Sequence, residues 1–263
     1  MRIYIITMED PLYTLPFIKS VITEKQSNIV GVAISEGGRF KIGKKRSKLV
    51  YLFSLFLIMG IIGFITNISK TLIFKFKKAA SKYLPFITNP GLEAFCIDKK
   101  IPVKHISSPN NPEFSSFLKS QQIDIIINQS QFIIKKELLS IPSIGVLNRH
   151  NALLPKNRGR LTPFWVLFKE EKETGVSIHF VDEGMDSGQI VVQERFEVSK
   201  NDDFNSIVEK NYQIAPKAML KAIDSLASGN YKLIPNPDDQ ATVNTVPTFK
   251  EALHFRLKKT GLL

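Results

Sequence analysis

Cysteine is nearly missing from this chain of 263 residues, and Cys96 is the only one. A single thiol cannot close an internal disulfide, so nothing in the sequence points to an oxidising compartment. Cys96 has no catalytic context and reads as a small buried hydrophobe. No Gly-x-Gly-x-x-Gly follows the first strand, which disfavours a dinucleotide-binding oxidoreductase. Internal repeats and low-complexity stretches are absent, and no basic–aromatic interleaving or nucleic-acid motif is visible. The amino end does not read as a signal peptide, because residues 2–7 form a short apolar strand followed by Asp10-Pro11. Carboxylates are short as well: 24 Asp and Glu face 36 Lys and Arg, a formal charge of +12. That excess bears on partners rather than fold, and leaves phosphate-bearing small substrates, nucleic acid and anionic membrane all open.

What is present suits one α/β domain with a short extension. Residues 2–8 predict a buried strand, 11–23 a helix and 29–34 a second strand. That order argues for a parallel sheet with crossover helices. Further elements are predicted as a helix over 92–100, a strand over 101–106 and a helix from Pro112 to about 121, with proline in its favoured first position. A β-branched strand over 123–128 leads through a loop, 129–134, to a helix over 135–139. A helix over 161–169 carries the only tryptophan, Trp165, which reads as core. Strands over 176–181 and 189–196 precede a long helix from about 204 to 227. Asp202 and Asp203 are its capping candidates, Pro216 should kink or interrupt it, and Ser228-Gly229-Asn230 should stop it. The tail, 235–263, ends in a basic amphipathic helix.

Residues 49–65 carry no charge, with Lys41, Lys44, Lys45, Arg46 and Lys48 before them and Lys70, Lys75, Lys77 and Lys78 after. By hydropathy alone this is a transmembrane helix, slightly short of the ~20 residues a span needs. Topology argues otherwise, since the strands before and after it should share one sheet and a single crossing would separate them. Three readings stay open. One is a crossover helix buried against the sheet, although such helices normally keep a polar face. Another is a helix lying on or dipping into an anionic membrane surface. The third is a self-association surface, as in a homodimer.

The chain is organised around residues 144–155, Ile-Gly-Val-Leu-Asn-Arg-His-Asn-Ala-Leu-Leu-Pro. An apolar strand ends in Asn148 and His150, whose spacing puts both side chains on one face. Ligands bind at the carboxyl ends of strands in open α/β sheets. Downstream lies an acidic loop with two glycines, residues 182–188, which contains Asp186. Arg158 and Arg160 are candidates for a substrate phosphate or carboxylate, against the alternative of a solvated basic loop. His179, within the strand over 176–181, reads as a satisfied structural histidine.

The ordered pattern Asn-x-His, Leu-Leu-Pro-x-x-Arg-Gly, then a Thr-Gly-Val strand and an Asp-x-Gly loop resembles the folate-dependent formyltransferase family, over about residues 101–250. The resemblance implies a Rossmann-like, mostly parallel sheet in a catalytic domain over 1–230, with the apolar segment inserted in its 35–80 crossover. A short C-terminal helical extension would occupy 231–263. It implies 10-formyltetrahydrofolate as formyl donor, a primary amine as acceptor, no metal, and a cytoplasmic enzyme or one peripheral at the inner face of a membrane. Asn148, His150 and Asp186 take the catalytic roles. A carboxamide N–H stabilises the tetrahedral oxyanion of formyl transfer, an effect of about 2.7–4 kcal/mol. An imidazole handles the amine proton, and Asp186 holds that imidazole through its negative charge. Gln131, Phe132 and Ile133, in the loop that helps hold the pterin, and Leu153, Leu154 and Pro155 are the implied folate contacts. This loop lacks the glycine often found there.

Initiator-tRNA members of the family carry a second domain of about a hundred residues for tRNA. Only a few dozen residues follow the long helix here, so a complete tRNA-binding domain is not expected. The Arg-Gly, Pro-Phe-Trp and Val-Pro-Thr-Phe stretches are more similar to members that formylate amino sugars on nucleotide carriers. The expected acceptor is therefore a nucleotide-linked amino sugar. The alternatives are a membrane- or lipid-linked amine, a truncated methionyl-tRNA formyltransferase-like enzyme, and a non-catalytic binding protein on the same fold.

Overall fold

The computed structural model describes residues 1–36 and 47–262. In chain order the elements are β1 (Ile3–Thr7), α1 (Thr14–Glu24), β2 (Ile29–Ser35), α2 (Lys48–Ala80), α3 (Leu92–Asp98), β3 (Val103–Ile106), α4 (Pro112–Ser120), β4 (Ile125–Gln129) and α5 (Lys136–Leu139). They continue as β5 (Gly145–His150), β6 (Arg158–Gly159), α6 (Thr162–Phe168), β7 (Glu173–Phe180), β8 (Ile190–Glu197), α7 (Phe204–Ser228), β9 (Val243–Asn244) and α8 (Phe249–Lys259). Seven strands form one sheet in the order β3-β2-β1-β4-β5-β7-β8. Pairing is parallel from β3 to β5 and antiparallel from β5 through β7 to β8. The expected Rossmann-like, mostly parallel sheet is present, with element ends displaced by a few residues.

Strands β1 and β4 are buried along their whole length, which explains their unbroken Ile-rich runs. Alternation splits these runs between two cores. Ile3, Ile5, Ile125 and Ile127 face α1 and α7, whereas Tyr4, Ile6 and Ile126 face α4 and α5. Helix α7 runs without interruption through Pro216. Proline removes one backbone donor, but Ala215, Ala218, Met219, Ala222 and Ile223 bury the helix face against the sheet. Asp203 caps its start through a reciprocal pair with Ser206, and Gly229 ends it in the left-handed region.

The reading of residues 49–65 as a crossover helix buried against the sheet does not hold. Helix α2 runs for 33 residues and takes in Lys70 to Lys78, yet only Ser54, Leu57 and Ile58 are buried. The basic positions Lys41, Lys44, Lys45 and Arg46 lie outside the described residues. The backbone of α2 breaks at Gly60 (φ 74°, ψ 168°), a conformation that glycine tolerates best. The inner half packs Leu57 and Ile58 against Phe164, Trp165, Phe204 and Phe255. The carbonyls left open at the break are capped by side chains. Arg256 Nε donates to Leu57 O at 2.6 Å, Arg256 Nη2 to Ile58 O at 3.2 Å, and Asn205 Nδ2 to Met59 O at 3.0 Å. Strands β2 and β3, which this segment joins, are parallel neighbours with Val32 opposite Val103. The chain thus leaves and re-enters the same sheet, and a single membrane crossing is topologically excluded.

The tail is stitched into the domain. Strand β9 pairs with β6, Ile234 bridges to Ile190, and Trp165 Nε1 donates to Thr245 O at 2.9 Å.

Candidate active site

Strand β5 delivers Asn148 and His150 at the carboxyl edge of the parallel strands, and antiparallel β7 sets His179 directly opposite Asn148. Asn148 Nδ2 lies 3.3 Å from His179 Nε2, and His179 Nδ1 lies 2.8 Å from the Phe180 carbonyl oxygen. A carbonyl only accepts, so Nδ1 carries the proton and Nε2 accepts from Asn148. At the other end of the carboxamide, Asn148 Oδ1 accepts from Gln129 Nε2 at 2.8 Å. Both ends are thereby fixed, and the second Nδ2 hydrogen remains for a ligand. Gln129 is oriented in turn by Arg149, whose Nε donates to Gln129 Oε1 at 3.0 Å. The Arg149 guanidinium rests 4.2 Å from the Tyr212 ring centre and donates to the Tyr212 hydroxyl at 2.8 Å.

His150 is buried, with Nε2 donating to the Asn157 carbonyl at 2.8 Å and Nδ1 lying 3.4 Å from Asp186 Oδ2. The other Asp186 oxygen is 3.6 Å from His179 Nε2, so one carboxylate stands between two imidazoles. Asp186 has φ +50°, a left-handed conformation that aspartate tolerates. The Gly159 N–H donates to Asp186 Oδ2 at 2.8 Å. Asn236 Nδ2 pins the acidic loop through the carbonyls of Asp186 (2.8 Å) and Gly188 (2.9 Å). Burial by itself would raise the Asp186 carboxyl. His150, His179, the Gly159 N–H and Arg158 outweigh it and hold the group below the ordinary carboxylate range. For His179 the balance reverses: burial pushes the ring down to about 4 against the pull of Asp186. The 3.6 Å approach to Asp186 therefore joins a carboxylate to a neutral ring at neutral pH.

Asn148, His179 and Asp186 line a cleft of about 430 Å³, a size suited to a small molecule. Gln131, Phe132 and Ile133 also line it, opposite Leu161, Val181 and Met185. Their loop keeps its shape without glycine. Asn128 Oδ1 accepts from the Ser130 N–H (3.2 Å) and hydroxyl (2.7 Å), and Asn110 clamps Ile133 O at 2.8 Å and Lys135 N at 2.9 Å. A cavity of similar volume, about 440 Å³ and lined in part by Phe168, His254 and Phe255, shares no lining residue with the cleft.

Some sequence-predicted residues fall elsewhere. Leu153, Leu154 and Pro155 border a separate pocket beside Glu171 and Arg195, because the Leu154 N–H is tied to Ser177 Oγ at 3.0 Å. Arg158 is buried and pairs with Asp238 at 2.6 Å and with the Asn236 carbonyl at 2.9 Å, so its charge fastens the tail instead of facing a substrate anion. Arg160 is exposed and lines the cleft. His150 does not reach the cleft wall, since both its nitrogens face protein groups. Sequence reasoning passed over Gln129, Arg149 and Asn236 and gave His179 only a structural role. The cross-strand position opposite Asn148 was the one available signal for His179, and it required the register of β7.

Residues 88–223 match the family model described as formyl transferase. The methionyl-tRNA formyltransferase of Kosmotoga olearia is 38% identical over 143 residues, covering 54% of this chain and 46% of that protein. The methionyl-tRNA formyltransferase of Caldanaerobacter subterraneus is 32% identical over 155 residues, covering 58% of this chain and 49% of that protein. The chain thus spans about half the length of the curated relatives it matches. Among solved structures, an N-formyltransferase from Helicobacter canadensis, described in complex with folinic acid and dTDP-3-aminofucose, superimposes with a TM-score of 0.61 at 15% identity, over 98% of this chain and 80% of that one. A phosphoribosylglycinamide formyltransferase from Bacillus halodurans gives a TM-score of 0.59 at 18% identity, over 87% of this chain and 96% of that one. At these identities the structural likeness establishes a common fold.

Proposed function

The chain belongs to the formyl transferase family, and on that premise we propose that it moves a formyl group from 10-formyltetrahydrofolate to the primary amine of a nucleotide-linked amino sugar. The observation that carries this reading is the Asn148 carboxamide, fixed at both ends by Gln129 and His179 beside the Asp186 carboxylate. The cleft suits a flat bicyclic donor, with apolar walls at Phe132, Ile133, Leu161 and Met185 and a backbone loop along one side. When bound there, 10-formyltetrahydrofolate supplies the formyl carbon.

Asn148 donates its remaining N–H to the formyl oxygen as an amine adds and charge builds on that atom. A donor held in advance pays no reorganisation when the charge appears. Asp186, which lines the cleft, accepts the proton that the amine sheds, with His150 Nδ1 behind it to stabilise it, and that proton passes to N10 of the donor as the C–N10 bond breaks and tetrahydrofolate leaves. The sequence reading put the proton on His150 with Asp186 holding the ring; in this proposal Asp186 meets the amine and His150 supports it. Arg160 at the cleft supplies a guanidinium for a phosphate of the acceptor. The amino-sugar acceptor is supported by the superposition of the Helicobacter canadensis protein over nearly the whole chain, tail included.

The test is release of tetrahydrofolate from 10-formyltetrahydrofolate in the presence of nucleotide-linked amino sugars, glycinamide ribonucleotide or charged initiator tRNA. Turnover with an amino sugar supports the assignment. Turnover with charged tRNA alone transfers it to the chemistry named for the sequence relatives. Folate binding with no transfer to any amine, in a folded chain, refutes this acceptor class.

A further inference from the structure

The outer half of α2 has no part in the transfer chemistry, and it is the most unusual surface of the molecule. The most apolar stretch of α2, with a mean hydropathy of 2.5 and only 17% buried, begins in the inner half and runs across Gly60 into this arm. Core helices of the same composition are covered by protein, and this one is not. Beyond Gly60 successive residues turn by ~100°. Ile61, Ile65, Ile68, Leu72, Ile73 and Phe76 then share one arc of about 140°. All six are exposed, Ile61 at 61% and Phe76 at 69%. Lys75 stands at one margin of this arc and Lys70 and Lys77 at the other, all exposed. The opposite side of the arm meets the protein: Phe74 packs on the main core, Asn67 Oδ1 accepts from the Tyr13 hydroxyl at 3.5 Å, and Lys78 pairs with Glu9.

We propose that residues 61–80 dock the protein on an anionic membrane interface, with the apolar arc in the acyl boundary, the bordering lysines at the lipid phosphates and no crossing of the bilayer. An apolar face edged with lysines is the pattern of a helix lying in the interface plane, and long lysine stems let the charged heads reach the phosphate level. Crossing is excluded by β2 and β3, which hold both ends of the segment in one parallel sheet. A second copy of the chain suits the arm less well, since it would set these lysines against one another on a molecule of charge +12. The capped break at Gly60 gives the arm a fixed departure from the domain. The inner half of the same helix contributes Tyr51 to the cleft wall, so a docked arm holds the cleft near the interface. The proposal is independent of which amine is formylated.

The full chain is mixed with phosphatidylglycerol–phosphatidylcholine vesicles or with phosphatidylcholine vesicles alone, and sedimented at low and high salt. Sedimentation with the anionic vesicles, weakened by salt, is expected. The triple variant K70Q/K75Q/K77Q should bind on the order of a hundredfold more weakly, about fivefold per lysine. I65N/L72N should stay in the supernatant while its far-ultraviolet circular dichroism and tetrahydrofolate release match the parent. A folded parent that ignores anionic vesicles overturns the proposal. So does light scattering that finds a dimer which I65N/L72N splits to monomers, for the arm would then be covered by a second copy.

Discussion

His179→Gln should flatten the loss of stability that the chain suffers between pH 7 and pH 5. The ring has an ordinary value of 6.5, lowered by burial to about 4. As pH falls through 6.5 the unfolded chain takes up a proton at this ring, while the folded chain refuses it until about pH 4. The unfolded state binds more protons across that window, so stability falls as pH falls. Between pH 7 and pH 5 the loss is ~2 kcal/mol, and it approaches ~3 kcal/mol near pH 4. Solvent does not screen this cost, because His179 is 1% exposed. Glutamine offers an acceptor oxygen to Asn148 and does not titrate. Urea unfolding followed by Trp165 fluorescence at the two pH values gives the comparison, with the parent losing ~2 kcal/mol more than the variant. A second variant, His179→Phe, leaves the Asn148 N–H without its acceptor, a penalty of about 1–3 kcal/mol. The carboxamide is then held only through Gln129, and kcat should fall roughly ten- to a hundredfold with KM for the amine little changed. His179→Gln should restore most of that rate. An equal pH slope in parent and His179→Gln would refute the neutral, buried acceptor.

Asn148→Ala should lower kcat about a hundred- to a thousandfold with little change in melting temperature, as expected for the loss of an oxyanion donor. Gly159→Ala should slow turnover and lower stability together. Gly159 has φ +101°, its added Cβ would strike the Asn244 carbonyl, and any shift pulls the Gly159 N–H away from Asp186. Differential scanning fluorimetry with initial rates checks both effects. Arg256→Met should uncap Leu57 O and Ile58 O and cost about 1–3 kcal/mol in urea unfolding, while kcat stays within a few fold of the parent.

The sheet was legible because its strands are written as apolar runs that must be buried on both faces. Asn148, His150 and Asp186 were legible through their order along the chain, and the structure brings all three within one network. The direction in which His150 points was not. Alternation assigns a face, but the Asn157 carbonyl that captures Nε2 belongs to a loop whose path the sequence does not specify. Arg158 was misread for a related reason: its partners Asn236 and Asp238 lie about eighty residues downstream, and no local pattern announces such a contact. The same holds for the chain from Tyr212 through Arg149 and Gln129 to Asn148, which joins three separate elements. The apolar segment was recognised as unusual, but the covering or exposure of its faces depended on the Gly60 break and on the distant residues that cap it.

Strand β5 is the seam of the sheet, bonded in parallel to β4 on one side and antiparallel to β7 on the other. Two dissimilar ladders hold it, one through residues 145–148 and the other through residues 147–150, and they share Leu147 and Asn148. A slip of one residue along either ladder would turn Asn148 and His150 to the wrong face, and the other ladder forbids it. The Asn148 and His150 end of the site therefore cannot slip without opening the sheet itself. Heating should yield molecules that are either fully competent or globally unfolded, and the curve of residual activity should superimpose on the cooperative melting curve.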